Sequence, residues 1–125
     1  MKKVPTDEVG KQLAYISPLI QKAIDKTNEI YTTTDILERL IKGEMDLWLN
    51  PNGIVITQCT PPILNIGICV GENIDDWIEE IVDRLKFEAR ASGCAYLQEI
   101  GRRGWVKRME KLGFKEQATI MRCKV

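Results

Sequence analysis

The sequence contains no histidine. Without an imidazole there is no Ser-His-Asp or Cys-His arrangement to raise a nucleophile near neutral pH, and the usual His-containing zinc sites are excluded. No C-x-x-C spacing occurs among the four cysteines, Cys59, Cys69, Cys94 and Cys123. Each falls in or beside an apolar segment, so buried free thiols are expected and no metal site. Long apolar runs are absent too. The opening Met1-Lys2-Lys3-Val4-Pro5 does not lead into a secretory h-region, and nothing is long enough to cross a bilayer. The expected setting is the cytoplasm, with no membrane partner. Net charge is also missing: 18 basic residues balance 18 acidic ones, so no global field draws the chain onto nucleic acid or anionic lipid. A charge-driven partner must be met locally.

What is present is enough for one core. A chain of 125 residues with 44% hydrophobic content predicts a single domain over 1–125. Val9, Leu13 and Ile16 mark one helical stripe, and Leu19, Ile20, Ala23 and Ile24 mark another, with a break expected at Ser17-Pro18 and Ser17 as cap of the second helix. Thr32-Thr33-Thr34-Asp35 supplies start chemistry for a third helix through Ile36, Leu37, Leu40 and Ile41, stopped at Gly43. Three short helices are thus expected before any strand.

The period then changes. Residues 45–49 alternate, Asn50-Pro51-Asn52-Gly53 is turn chemistry and 53–59 is β-branched, which predicts a hairpin. After Pro61-Pro62, residues 63–70 form a near-continuous apolar strand of the kind covered on both faces. Gly67 interrupts it, as a bulge or a close backbone approach would. Residues 73–92 carry Ile74, Trp77, Ile78, Ile81, Val82, Leu85 and Ala89 at helical spacing, with Asn73 or Glu72 as cap and Gly93 as stop. Phe87 lies off this stripe; either the N-terminal helices cover it or it contacts another chain. Strands are expected at 94–100 and 115–124, flanking a short helix within 101–114. In that helix Trp105, Val106, Met109 and Leu112 form the packing face, Arg102, Arg103, Lys107, Arg108 and Lys111 the basic one, and Leu112-Gly113-Phe114 the ending. The fold class is α/β (α+β): a mixed sheet containing one right-handed parallel crossover.

This order, with Glu110-Lys111-Leu112-Gly113-Phe114, resembles the GNAT (Gcn5-related N-acetyltransferase) superfamily over nearly the whole chain. The resemblance implies a slot for acetyl-CoA between splayed parallel strands, with Gly67 at a strand bulge and Gly67, Val70 and Gly71 as the cofactor contacts if acetyl-CoA binds. It also exposes departures. Where the family has a glycine-rich pyrophosphate loop, this chain has Val70-Gly71-Glu72-Asn73-Ile74-Asp75-Asp76. Two like charges about 4 Å apart repel by about 4 kcal/mol at an effective dielectric near 20, and the acids suit the helix's own N-terminus better than a polyanion. Aligned on Glu-Lys-Leu-Gly-Phe, the family's frequent Tyr acid falls on Met109, its Asn on Arg102 and its small residue on Trp105. Met donates no proton. Glu99 is left as a candidate base.

Gly43-Glu44-Met45-Asp46-Leu47-Trp48, Ser92-Gly93-Cys94 and Gly101-Arg102-Arg103-Gly104-Trp105 are further similar to small GNAT-like proteins encoded by tailed bacteriophages. That likeness implies a phage origin, a host-cell or virion location, and action through a protein partner, either phage structural proteins or a second copy. The expected contacts are Arg102, Arg103, Lys107, Arg108, Lys111 and Phe87, with no catalytic residue and no cofactor. The alternative is a divergent acyltransferase that uses acetyl-CoA. A nucleic-acid partner is not expected, because the charge balance and the absence of a recognition module speak against one.

Overall fold

The computed structural model describes residues 1–27, 31–101 and 103–125. A five-stranded sheet runs in the order β1 (Lys2–Val4), β2 (Asp46–Asn50), β3 (Gly53–Thr60), β4 (Ile63–Gly71), β5 (Tyr96–Glu99). Neighbours are antiparallel except β4 and β5, which are parallel. A 3-10 helix (Thr6–Gln12) and two α-helices, α1 (Leu13–Lys26) and α2 (Thr33–Ile41), precede β2; α3 (Ile78–Ala91) crosses from β4 to β5, and the short α4 (Val106–Glu110) follows. The mixed α/β architecture agrees with the sequence reading.

The sheet is covered on both faces. Ile16, Ile20, Ile36 and Leu40 of α1 and α2 pack with Ile54, Ile56 and Val70 on one side. Ile78, Ile81, Val82, Leu85 and Ala89 of α3 and Met109 of α4 pack with Trp48, Val55, Leu64 and Ile66 on the other. On this second side the fully buried Trp48 donates its indole N–H to the buried hydroxyl of Thr57, at 3.1 Å, so the one polar atom Trp48 carries into the core is satisfied.

Between Ile56 and Thr57 the β3–β4 register shifts: Ile56 faces Ile68 while Thr57 faces Ile66. The extra residue on β4 is therefore Gly67, the bulge expected from the sequence. Because side chains alternate with period two, the added residue reverses the strand's facing. Leu64 and Ile66 before it and Cys69 after it join the α3 side, while Ile68 and Val70 join the α1–α2 side.

Several expectations are corrected. A three-residue strand, β1, precedes the helices and pairs with β2 from Lys2↔Leu49 to Val4↔Leu47; a strand this short shows no periodicity. Its Lys3 bonds Glu88 of α3 at 2.7 Å. The chain does not break at Ser17-Pro18, since α1 is continuous and contains Pro18. Ser17 does not cap; its hydroxyl donates back to the Leu13 carbonyl at 2.6 Å. A helix-interior Pro costs about 3 kcal/mol, but fully burying Ile16 and Ile20, both 0% exposed, contributes about 1.5–3 kcal/mol each, and packing wins. Helix α3 starts at Ile78 instead of 73, behind a 3-10 turn at Ile74–Asp76, and Asn73 makes no side-chain cap. Residues 115–125 form no strand: Ile120 and Met121 are exposed, and apolar alternation alone supplies no ladder partner. Cys59 and Cys123 are exposed, not buried.

The helix ends follow the sequence closely. Thr32 and Asp35 form a reciprocal capping box on α2. At α4, Phe114 N–H bonds the Met109 carbonyl and Gly113 N–H the Glu110 carbonyl, at 3.1 Å each, with Gly113 at φ 93°; this is the Schellman ending that Leu-Gly-Phe announced.

Two substitutions test this packing. Thr57→Val leaves the buried Trp48 N–H without an acceptor and should cost about 1–3 kcal/mol in chemical denaturation. Gly71→Ala should cost about 2–4 kcal/mol, because a Cβ there would lie 2.1 Å from the Asn52 carbonyl oxygen. Gly104→Ala, with nothing within 4 Å of the added carbon, is the near-neutral control.

Candidate functional site

The β4–β5 pairing runs from Ile63↔Tyr96 to Ile66↔Glu99 and stops at the bulge. Beyond it β4 continues through Gly71 against β3 alone, while the chain after Glu99 turns away toward α4. The two parallel strands therefore part at Gly67, and the residues around the fork make up the candidate site.

Its walls are apolar. Met109 is buried in the core on the α3 side, and Cys69, Leu97 and Trp105 pack partly buried against the same cluster. Two titratable groups lie among them. Burial pushes the Cys69 thiol up to about 12, helped by the negative Glu99 and opposed by Arg108, so Cys69 stays protonated and is no nucleophile. Burial likewise raises the Glu99 carboxyl above its ordinary 4.5, with Arg108 pulling the other way. Burial thus disfavours the charged form of this carboxyl.

Helix α4 is fastened to the β4–α3 connection and to α3. Arg108 donates from Nε to Asp75 Oδ1 at 2.7 Å and from Nη2 to Oδ2 at 3.4 Å, and its guanidinium lies 4.7 Å from the centroid of the Trp105 ring. Lys86 of α3 adds a bond from Nζ to the Leu112 carbonyl at 3.3 Å. The hydrogen bond from Arg108 is the main reason the Asp75 carboxyl lies below its ordinary 3.8.

Asp75 belongs to the connection between β4 and α3, whose backbone is engaged at three amides. Glu72 N–H bonds the Asn52 carbonyl at 2.7 Å, Asp76 N–H bonds Asn73 and Trp77 N–H bonds Ile74. The Trp77 indole closes the turn by donating to the Glu72 carbonyl at 2.9 Å. Gly71 is glycine because β4 crosses the β2–β3 turn at contact distance there, as the clash with Asn52 shows.

The residues singled out by sequence separate into groups. Gly67 sits at the fork, Val70 points into the core beneath α1 and α2, and Gly71 lies against the hairpin turn, so these three do not converge on one cavity. Arg103, Lys107 and Lys111 are exposed, whereas Arg108 is half-buried and paired; Arg102 lies outside the described residues. Phe87 is 62% exposed. The N-terminal helices do not cover it, because they occupy the opposite face of the sheet.

Sequence reasoning missed the pairing of Asp75 with Arg108, since 33 residues separate them. It also missed a cleft of about 210 Å³ on the other face, where Tyr15, Leu19 and Lys22 of α1 meet Pro51, Asn52, Gly71 and Glu72. A larger depression of about 330 Å³ on α2, lined by Tyr31, Asp35 and Arg39 among others, is built from residues remote from the fork. No group of three or more potential metal ligands occurs among the described residues.

No family model and no curated protein matches the chain. Solved structures do. A probable acetyltransferase superposes with a TM-score of 0.69 at 14% identity, covering 100% of this chain and 97% of that one. Tetrahymena GCN5 gives 0.67 at 10% identity over 90% of this chain and 74% of that one. A predicted acetyltransferase with acetyl-CoA from Clostridium acetobutylicum gives 0.67 at 12% identity, with 98% and 94% covered. The GNAT acetyltransferase fold is what these identities support.

Asp75→Asn tests the fastening of α4. A carboxyl whose folded pKa is lowered contributes stability above its ordinary pKa of 3.8 and loses it as the pH falls through the depressed folded value. The variant should therefore melt slightly below wild type at neutral pH, with the gap closing in acid; an equal gap at all pH values would assign the loss to shape instead of charge.

Proposed function

We propose that this is a phage-encoded GNAT-fold protein that carries out no acetyl transfer and acts through contacts with protein partners, in the virion, during its assembly or in the infected cell. The phage assignment rests on the motif likeness at 43–48, 92–94 and 101–105. The non-catalytic reading rests on one observation above all: the ion pair of Arg108 with Asp75 ties α4 to the loop where the family's cofactor phosphates would enter.

The residues present do not fit a pyrophosphate. Anion sites of this kind use bare backbone amides at a helix N-terminus. Here the amides of Glu72, Asp76 and Trp77 are already donating, and Glu72, Asp75 and Asp76 bring carboxylates to the same turn. The place aligned with the family's Tyr acid holds Met109, which has no proton to give and is buried in the core at 4% exposure. The surface offered to a partner is instead the basic side of the 103–111 segment, Arg103, Lys107 and Lys111, together with Phe87 on α3, all exposed.

A second reading, a divergent acyl-CoA-dependent N-acetyltransferase, is favoured by the fork at Gly67 and by the raised pKa of Glu99 beside it. In that case orientation and backbone polarisation would carry the reaction with Glu99 as base.

Thermal denaturation with acetyl-CoA separates the two. A ligand present at a hundred times its Kd stabilises the folded state by about 2.7 kcal/mol, which a melting curve reads easily. No shift at millimolar acetyl-CoA is the expected result, and a clear rise overturns the non-catalytic reading. For the surface, Phe87→Ser and Lys107→Glu should leave stability within about 0.5 kcal/mol while reducing incorporation into virions or co-purification with phage proteins. Wild-type incorporation by both variants would move the contact elsewhere.

A further inference from the structure

The β3–β4 hairpin and the α3–β5 junction meet at two cysteines. Cys59 is on β3 opposite Leu64, and Cys94 follows the Gly93 stop of α3. Their Sγ atoms are 3.4 Å apart. The contact is built by backbone on both sides: the Pro62 carbonyl accepts from the N–H groups of Ala95 and Tyr96, at 2.8 and 3.1 Å, and Cys94 N–H bonds the Ala89 carbonyl at 2.8 Å. Each sulfur is thus carried by a chain segment anchored to the other's segment. To become bonded the sulfurs must approach by about 1.3 Å more, from 3.4 Å to the disulfide length, which side-chain rotation supplies more readily than backbone movement.

The two thiols differ in a useful way. Cys59 is exposed and Cys94 is buried. Burial, followed by the hydrogen bond and charge of Cys59, keeps the Cys94 thiol above its ordinary 9.0, so an oxidant from solution meets Cys59 first. The other two thiols are placed differently: Cys69 is half-buried at the fork, and Cys123 is exposed in the C-terminal segment.

We propose that Cys59 and Cys94 form a reversible oxidation site, in which a hydroperoxide converts the pair to an intrachain disulfide. The Cys59 thiolate attacks the distal oxygen of the peroxide, the O–O bond breaks, and water or an alcohol leaves after taking up a proton, giving a Cys59 sulfenic acid. The Cys94 sulfur then attacks the Cys59 sulfur, the S–O bond breaks, and the hydroxide takes the Cys94 proton to leave as water. Two thiols and one peroxide become one disulfide, one alcohol or water, and one water. The bond joins β3 to the junction just before β5, so it fixes the parallel β4–β5 pairing at the closed end of the fork.

The test is limiting hydrogen peroxide on the full chain, followed by thiol titration and peptide mapping. Wild type should fall from four titratable thiols to two, yield a linked Cys59–Cys94 peptide, return to four with dithiothreitol and melt higher in the oxidised form. Cys59→Ser, a change at an exposed position, should keep its three thiols under the same dose. In Cys94→Ala, Cys59 should stop at a sulfenic acid that dimedone traps. Sulfinic acid at Cys59 with Cys94 still free in wild type, or linkage of Cys59 to Cys123 of a second chain, overturns the proposal. So does unchanged oxidation of Cys94 in Cys59→Ser, a readout that stands even if Cys94→Ala fails to fold.

Discussion

Two helical layers compete for one strand. In a sheet covered on both faces, each residue of β4 serves one layer or the other, and strict alternation would fix that choice for the whole strand. The extra residue at Gly67 resets the alternation midway. Before it, Leu64 and Ile66 feed the core under α3; after it, Ile68 and Val70 feed the core under α1 and α2. The bulge also marks where β5 leaves its partner, so one inserted residue sets both the division of the core and the position of the fork.

The short helix that follows β5 is held from several sides. Helix α4 is too short to be stable by itself, and it is held by Met109 in the core, by the Schellman ending and by Arg108 on Asp75. Of the three acids at the β4–α3 turn, Asp75 receives this arginine. Asp75 is paired there, while Glu72 and Asp76 of the same turn stay exposed. The Trp77 indole and the Asn52 carbonyl hold both backbone groups of Glu72 in the same turn.

Surface and interior charge behave differently across the protein. The overall balance of 18 positive and 18 negative groups hides a local separation: Arg103, Lys107 and Lys111 are exposed on the C-terminal helical segment, while Asp75, Glu79 and Glu80 gather at the start of α3. Only Arg108 links the two among the bonds described. The other cations of that segment are exposed, and Phe87 adds an exposed apolar side chain on the same side of the sheet.

The sequence by itself determined whatever is encoded within a few neighbouring residues. The capping box at Thr32 and Asp35, the two-residue hairpin turn at Pro51 and Asn52, the stops at Gly43, Gly93 and Gly113 and the apolar stripe of α3 were legible because each is a local rule of backbone geometry or period. The order of elements with Leu-Gly-Phe was also enough to place the chain in its fold. Tertiary structure decided what depends on a distant partner. Pro18 stays inside a helix because Ile16 and Ile20 are buried beneath it, β1 exists because β2 is there to pair with it, and residues 115–124 remain without a ladder despite strand-like composition. The pairs Asp75–Arg108 and Cys59–Cys94 are separated by 33 and 35 residues. No spacing rule reaches that far, because contact at such separations is set by how the sheet and helices pack and not by the chain between them.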